Sequence, residues 1–179
     1  MASTKHTLVA LVEDKPGVLN RMVSLFRRRG FNIDSIAVGS SEVPNFSRIT
    51  FVVDGTLTMV EQVRKQLLAK VVEVVKVSDI TDEDIIIREL ALIKVKAPAG
   101  GRSEIIQIVD IFRADIVDVS IDCLTIEITG TEDKIESLID LLRPLGLKEI
   151  TRTGRIAMTR GSSSPEDEQV SKTNGKYGK

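Results

Sequence analysis

Glu13-Asp14-Lys15-Pro16-Gly17-Val18-Leu19 joins an apolar, β-forming run, His6 to Val12, to a segment with helical spacing, Val18 to Arg29. Pro-Gly breaks the strand, and the apolar stripe Leu19, Met22, Val23 and Phe26 then starts at once. Phe31 to Val38 returns as a second strand. Strand end, glycine turn and helix start therefore meet at one point. Backbone N–H groups there can receive a small anion or the carboxylate of a small ligand. The plainer reading is an ordinary helix start.

Working outward, Arg27-Arg28-Arg29 ends the first helix, where cations complement the helix dipole. Gly39 to Asn45 reads as a polar loop. Arg48 to Val53 is a third strand closed by the turn pair Asp54-Gly55, Met59 to Ala69 a second helix, and Val71 to Val77 a fourth strand. The order is βαββαβ, the ferredoxin-like pattern. After the polar stretch Thr81-Asp82-Glu83-Asp84 the pattern restarts. Ile85 to Val95 is a strand, Ala97 to Gly101 a turn, and Glu104 to Ala114 a helix. Asp115 to Ser120 and Leu124 to Ile128 are strands. A helix follows Gly130 and carries Ile135, Leu138, Ile139 and Leu142. Leu147 to Thr151 is the last full strand, with Ile156-Ala157-Met158 extending its edge. Leu25-Phe26-Arg27 in the first copy matches Ile111-Phe112-Arg113 in the second. The expected fold is α+β, two tandem ferredoxin-like units over 1–80 and 81–160, with a disordered tail over 161–179. A sheet with helices on one face needs cover on the other, so a homodimer through edge strands or bare sheet faces is expected.

Of the 179 residues, 42% are apolar and the net charge is -1. A core is available, and general attraction to nucleic acid or anionic membrane is not. Aromatic residues are scarce and Trp is absent, which disfavours base stacking. Cys123 is the sole cysteine and reads as a small buried strand residue, and His6 is the sole histidine. Neither an intramolecular disulfide, a His-Cys metal cluster nor a nucleophilic triad of the usual kind can be assembled. No segment reaches transmembrane length, Met1 to Lys5 lacks a signal-peptide core, and the expected location is cytoplasmic. Acidic residues Asp14, Asp34, Asp54, Asp118 and Glu127 lie near strand ends, but no spacing argues for acid/base catalysis.

Six stretches together resemble the regulatory (small) subunit of acetohydroxyacid synthase, also called acetolactate synthase. They are Glu13 to Leu19, Leu25 to Ile33, Ser47-Arg48-Ile49-Thr50, Arg88 to Val95, Ile111 to Val119 and Arg152 to Met158. The resemblance covers residues 6 to 160 and implies an N-terminal ACT domain, the small-molecule-sensing version of this fold. It implies a subunit without catalysis of its own. Thiamine diphosphate, Mg²⁺ and FAD belong to a separate large subunit, which condenses pyruvate with pyruvate or 2-oxobutyrate. The small subunit raises that activity and confers feedback inhibition by valine, in some members also by leucine or isoleucine, bound between two ACT domains of a dimer.

Carried over by position, the implied effector residues are Asp14, Gly17, Val18, Asn32 and Ile33. Gly17 lets backbone N–H groups approach a carboxylate, Asn32 offers donor and acceptor, and Ile33 supplies an apolar wall. The family has asparagine where this chain has Asp14. A carboxylate accepts only, so it suits the ligand's ammonium and repels its carboxylate. The plainer role for Asp14 is a helix cap. Two other classes compete: a stand-alone enzyme, and an amino-acid-responsive transcriptional regulator or other ACT-type binding module. Neither a catalytic constellation nor a helix-turn-helix signal supports them.

Overall fold

The computed structural model describes residues 4–161, so the tail expected over 161–179 lies outside them beyond Gly161. In chain order the first unit contains β1 (Thr4–Glu13), α1 (Val18–Arg28), β2 (Ile33–Ser40), β3 (Phe46–Gly55), α2 (Leu57–Lys70) and β4 (Val74–Asp79). Its antiparallel sheet has the strand order β2-β3-β1-β4. The second contains β5 (Ile85–Lys96), α3 (Arg102–Phe112), β6 (Asp115–Val119), β7 (Cys123–Gly130), α4 (Glu132–Leu142) and β8 (Leu147–Arg152), in the order β6-β7-β5-β8. Both are the ferredoxin-like arrangement, as the repeat requires. The compact units divide at Ile86/Ile87, and residues 157–161 group with the first.

Alternation builds each core. Leu8, Ala10 and Val12 on β1 and Ile49, Phe51 and Val53 on β3 face Met22, Leu25 and Phe26 of α1 and Val60, Val63 and Leu67 of α2. Phe26 is the centre, with ring centroids 5.1 Å from Phe51 and 6.3 Å from Phe31. Burying each such side chain stabilises by about 1.5–3 kcal/mol before the entropy of ordering is subtracted. In the second unit Ala91, Ile93 and Val95 pair with Ile128, Ile126 and Leu124 under α3 and α4.

The opposite faces differ. Thr7, Val9, Leu11, Thr50 and Val52 of the first sheet are buried too. On the second, Leu92, Lys94, Thr125, Glu149 and Thr151 line a shallow depression of about 160 Å³.

Local boundaries moved for identifiable reasons. Phe31 is not in β2; its N–H closes the end of α1 on the Phe26 carbonyl at 3.2 Å, beside Gly30 at φ 71°. Asp54-Gly55 stays in β3 because Thr4 and Lys5 pair with it. α2 starts at Leu57 because the Thr56 side chain accepts from the Met59 N–H. Val71 caps α2, which delays β4 to Val74. β9 (Ile156–Thr159) does not extend the β8 edge; it pairs with β5.

The repeat extends to individual bonds. Asp14 N–H donates to the Asn45 carbonyl at 2.8 Å, and Ala97 N–H to the Asp122 carbonyl at 2.8 Å. Register shifts at Leu11/Val12 and Ile33/Ser35 recur at Lys94/Val95 and Ile116/Asp118.

Candidate functional site

The loop that leaves β1 is held from two sides. Glu13 N–H donates to the Glu73 carbonyl at 2.9 Å, and Asp14 N–H to that of Asn45. Lys15 pairs with Glu13 at 2.5 Å. Gly17 follows as the N-cap of α1 at φ 84°, a left-handed conformation that favours glycine. No side chain caps this helix, which corrects the capping role read for Asp14: that residue is exposed and lies outside the cap. Helix starts normally borrow a Ser, Thr, Asp or Asn oxygen for their first amides. Here Pro16 has no N–H, Gly17 has no side chain and the Val18 N–H turns back to the Lys15 carbonyl at 3.4 Å, so the Leu19 and Asn20 amides keep their capacity for an external acceptor. Val18 is buried and anchors the turn to the core.

One neighbour was missed by sequence reasoning. The Arg21 guanidinium pairs with Glu73 at 2.5 Å, and its Nη1 lies 3.3 Å from where a Cβ on Gly17 would stand. Only the i, i+4 spacing from Gly17 could have signalled it.

Asn32 and Ile33 lie elsewhere. Asn32 is exposed, and its Nδ2 donates to Asp34 Oδ1 at 2.9 Å. Ile33 is half-buried against the core. Ile33 and His6 both stand opposite Val53, whereas Glu13 stands opposite Phe46. Seven strand residues at about 3.3 Å each put the Asp14–Val18 loop roughly 23 Å from Ile33. One chain therefore does not bring the five residues together. Asp14, Gly17 and Val18 cluster at one end of β1; Asn32 and Ile33 sit at the other. β2, however, is an edge strand, and its far end, Ser40, leads into the Ser41–Asn45 turn that holds Asp14.

Other chemistry-bearing residues make structural contacts. His6 is buried; its Nδ1 lies 3.0 Å from Asp79 Oδ2, and its Nε2 has no partner. Thr81 accepts the Thr7 N–H at 2.9 Å and donates to Asp79, clasping the start of the Thr81–Asp84 stretch to β1. Cys123 is half-buried rather than buried, at the start of β7. In the second unit Arg152 forks onto Glu89 with two bonds of 2.8 Å and also reaches Glu136. Both partners hold the guanidinium in its charged form, Glu89 most strongly. Among the described residues no group of His, Cys, Asp and Glu is placed to hold a metal ion, and no helix is long and apolar enough to cross a membrane.

Comparison with known sequences gives two adjoining family matches. Residues 8–76 match the AHAS small subunit-like ACT domain, and residues 88–161 match the small subunit of acetolactate synthase. The chain belongs to the acetolactate synthase small-subunit family. The acetolactate synthase small subunit of Mycobacterium bovis is 50% identical over 161 residues, 90% of this chain and 95% of that one. A protein of Archaeoglobus fulgidus named "Probable acetolactate synthase small subunit" is 56% identical over 158 residues, 88% of this chain and 98% of that one. The crystal structure of the acetolactate synthase small subunit from Thermotoga maritima superposes with a TM-score of 0.82 at 46% identity, covering 89% of this chain and 99% of that one. The small-subunit family thus spans both units, and its ACT portion carries all five predicted effector residues.

Proposed function

We propose that this chain is a regulatory subunit that performs no chemistry itself, binds the catalytic large subunit of acetolactate synthase and raises its activity. It confers feedback inhibition by valine, leucine or isoleucine. Thiamine diphosphate, Mg²⁺ and FAD belong to the large subunit in this reading. The observation that carries the effector half is the separation of Asp14, Gly17 and Val18 from Asn32 and Ile33 by the length of β1. A homodimer formed by antiparallel pairing of two β2 edges supplies what one chain lacks. It sets Asn32 and Ile33 of one copy beside the Ser40 end, and so beside the Gly17 loop, of the other.

The chemistry suits a zwitterion. First-turn amides receive the carboxylate, the Asp14 carboxylate receives the ammonium, and Ile33 contacts a branched aliphatic side chain. An effector that bridges two chains binds one dimer arrangement better than another. Its differential affinity is what shifts the complex towards a less active state.

Complementation between variants tests this. Gly17→Asp and Asn32→Ala chains are each expected to lose valine binding in isothermal titration. After mixing and subunit exchange, half of the dimers are mixed, and each mixed dimer has one intact site. About a quarter of the wild-type capacity should therefore return. Binding by neither wild type nor mixture, with leucine and isoleucine also silent, overturns the effector reading. Wild-type binding without recovery in the mixture overturns the shared site.

A further inference from the structure

We propose that Arg102 is a built-in ligand that locks the second unit's counterpart of the Asp14–Val18 loop, leaving the first unit alone free to respond to an effector. The comparison of the two units rests on the functional reading above; the lock itself does not. Arg102 is the first residue of α3, the place Val18 holds in α1. Its Nε–H donates to the Ala97 carbonyl at 3.1 Å, and its Nη2 donates to the Ser120 carbonyl and, at 2.6 Å, to that of Ile121. These carbonyls come from two loops, the one leaving β5 and the turn between β6 and β7. The same loops are joined by Ala97 N–H to the Asp122 carbonyl.

In the first unit the equivalent backbone bond, Asp14 to Asn45, is present, but Val18 is apolar and buried and offers no donor. Converging carbonyl oxygens, each an acceptor with two lone pairs, suit a cation's N–H donors. In the second unit a tethered guanidinium supplies them. Arg suits this role because it stays charged and presents several donors in a rigid fork. A free amino acid's ammonium finds the acceptors taken, and the two loops keep one arrangement whether or not effector is present. The lock also fixes the turn that carries Ile121, whose side chain is almost wholly exposed.

Amide hydrogen exchange on the full chain reads this directly, because the Ala97 and Ser120 N–H groups are bonded within the locked loops. In wild type, exchange over residues 97–102 and 119–123 should be slow and unchanged by valine, while residues 13–18 become protected. In Arg102→Ala, exchange over both segments should rise roughly ten- to a hundred-fold, with the amides of Ile93 and Ile126 unchanged. Millimolar methylguanidinium should reverse the rise. Arg102→Lys should show an intermediate rate, since an ammonium lacks the planar fork, and it carries the test if the alanine variant does not fold. Unchanged exchange in the variants, or a rise that methylguanidinium leaves untouched, overturns the lock. Valine protection of residues 97–102 equal to that of 13–18 overturns the contrast between units. Valine protection nowhere defeats the effector reading, and the variant rates then decide the lock alone.

Discussion

On the proposed function, Gly17→Asp is expected to abolish feedback inhibition while sparing activation. Residue 17 sits at φ 84°, where a side chain costs about 1 kcal/mol, less for Asp than for most residues. The added Cβ would stand 3.3 Å from Arg21 Nη1, the mobile end of a half-exposed side chain that can shift aside. The folding cost is therefore about 1 kcal/mol, a fall in thermal midpoint of roughly 4–8 °C for a unit of this size. Binding suffers more. A carboxylate at residue 17 covers the first-turn amides, takes up the Arg21 guanidinium and repels an incoming carboxylate. Losing one charge-assisted hydrogen bond weakens valine affinity by about 1.5–3 kcal/mol, roughly ten- to 150-fold, and losing two compounds the effect. Activation of the reconstituted holoenzyme should persist. Gly17→Ala carries the same backbone strain without the charge and should lose far less affinity. The assays are inhibition curves with the large subunit, alongside titration calorimetry. Wild-type inhibition by valine in the Gly17→Asp holoenzyme refutes the placement of the ligand carboxylate. Equal losses in the Ala and Asp variants refute the electrostatic part.

Two further outcomes concern the scaffold. Arg152→Met leaves Glu89, 8% exposed, without its fork, and should destabilise by about 2–4 kcal/mol, below the cost of breaking a fully buried pair because Arg152 is 28% exposed. Denaturant unfolding measures it, and a loss under about 1 kcal/mol shows that the pair contributes little. Glu61 titrates at about 2 instead of 4.5 because Arg64 hydrogen-bonds its carboxylate. A depressed carboxylate stabilises above its unfolded value and loses that contribution as pH falls from about 4.5 towards 2. Glu61→Gln should remove that part of the acid sensitivity, visible in thermal midpoints across this range; superimposable pH profiles refute it.

Much of the architecture could be read locally. Leu8, Ala10 and Val12 alternate, Met22, Leu25 and Phe26 recur at helical spacing, and the same order appears again from Ile85. Such periodicities mark which face of an element is apolar, and two copies check one another. The misplaced boundaries had two kinds of cause: caps within a few residues, as where Phe31 closes on Phe26 and Thr56 on Met59, and remote pairing, as where Thr4 keeps Gly55 in β3.

The Glu13–Leu19 turn and the family resemblance were likewise legible, because the turn chemistry is contiguous and Gly17 declares its own backbone. Distance along β2 was not. Residue types at Asp14, Gly17, Val18, Asn32 and Ile33 suggested a site, but only strand order and register showed that these five residues lie at two ends of one unit. The Arg102 lock, the Arg21–Glu73 pair and the Arg152–Glu89 fork also depend on residues remote in sequence. One-dimensional pattern specifies faces and turns, because those follow from neighbours along the chain. Which charged group meets which carbonyl, and which residues one chain keeps apart, follows from how the strands pair.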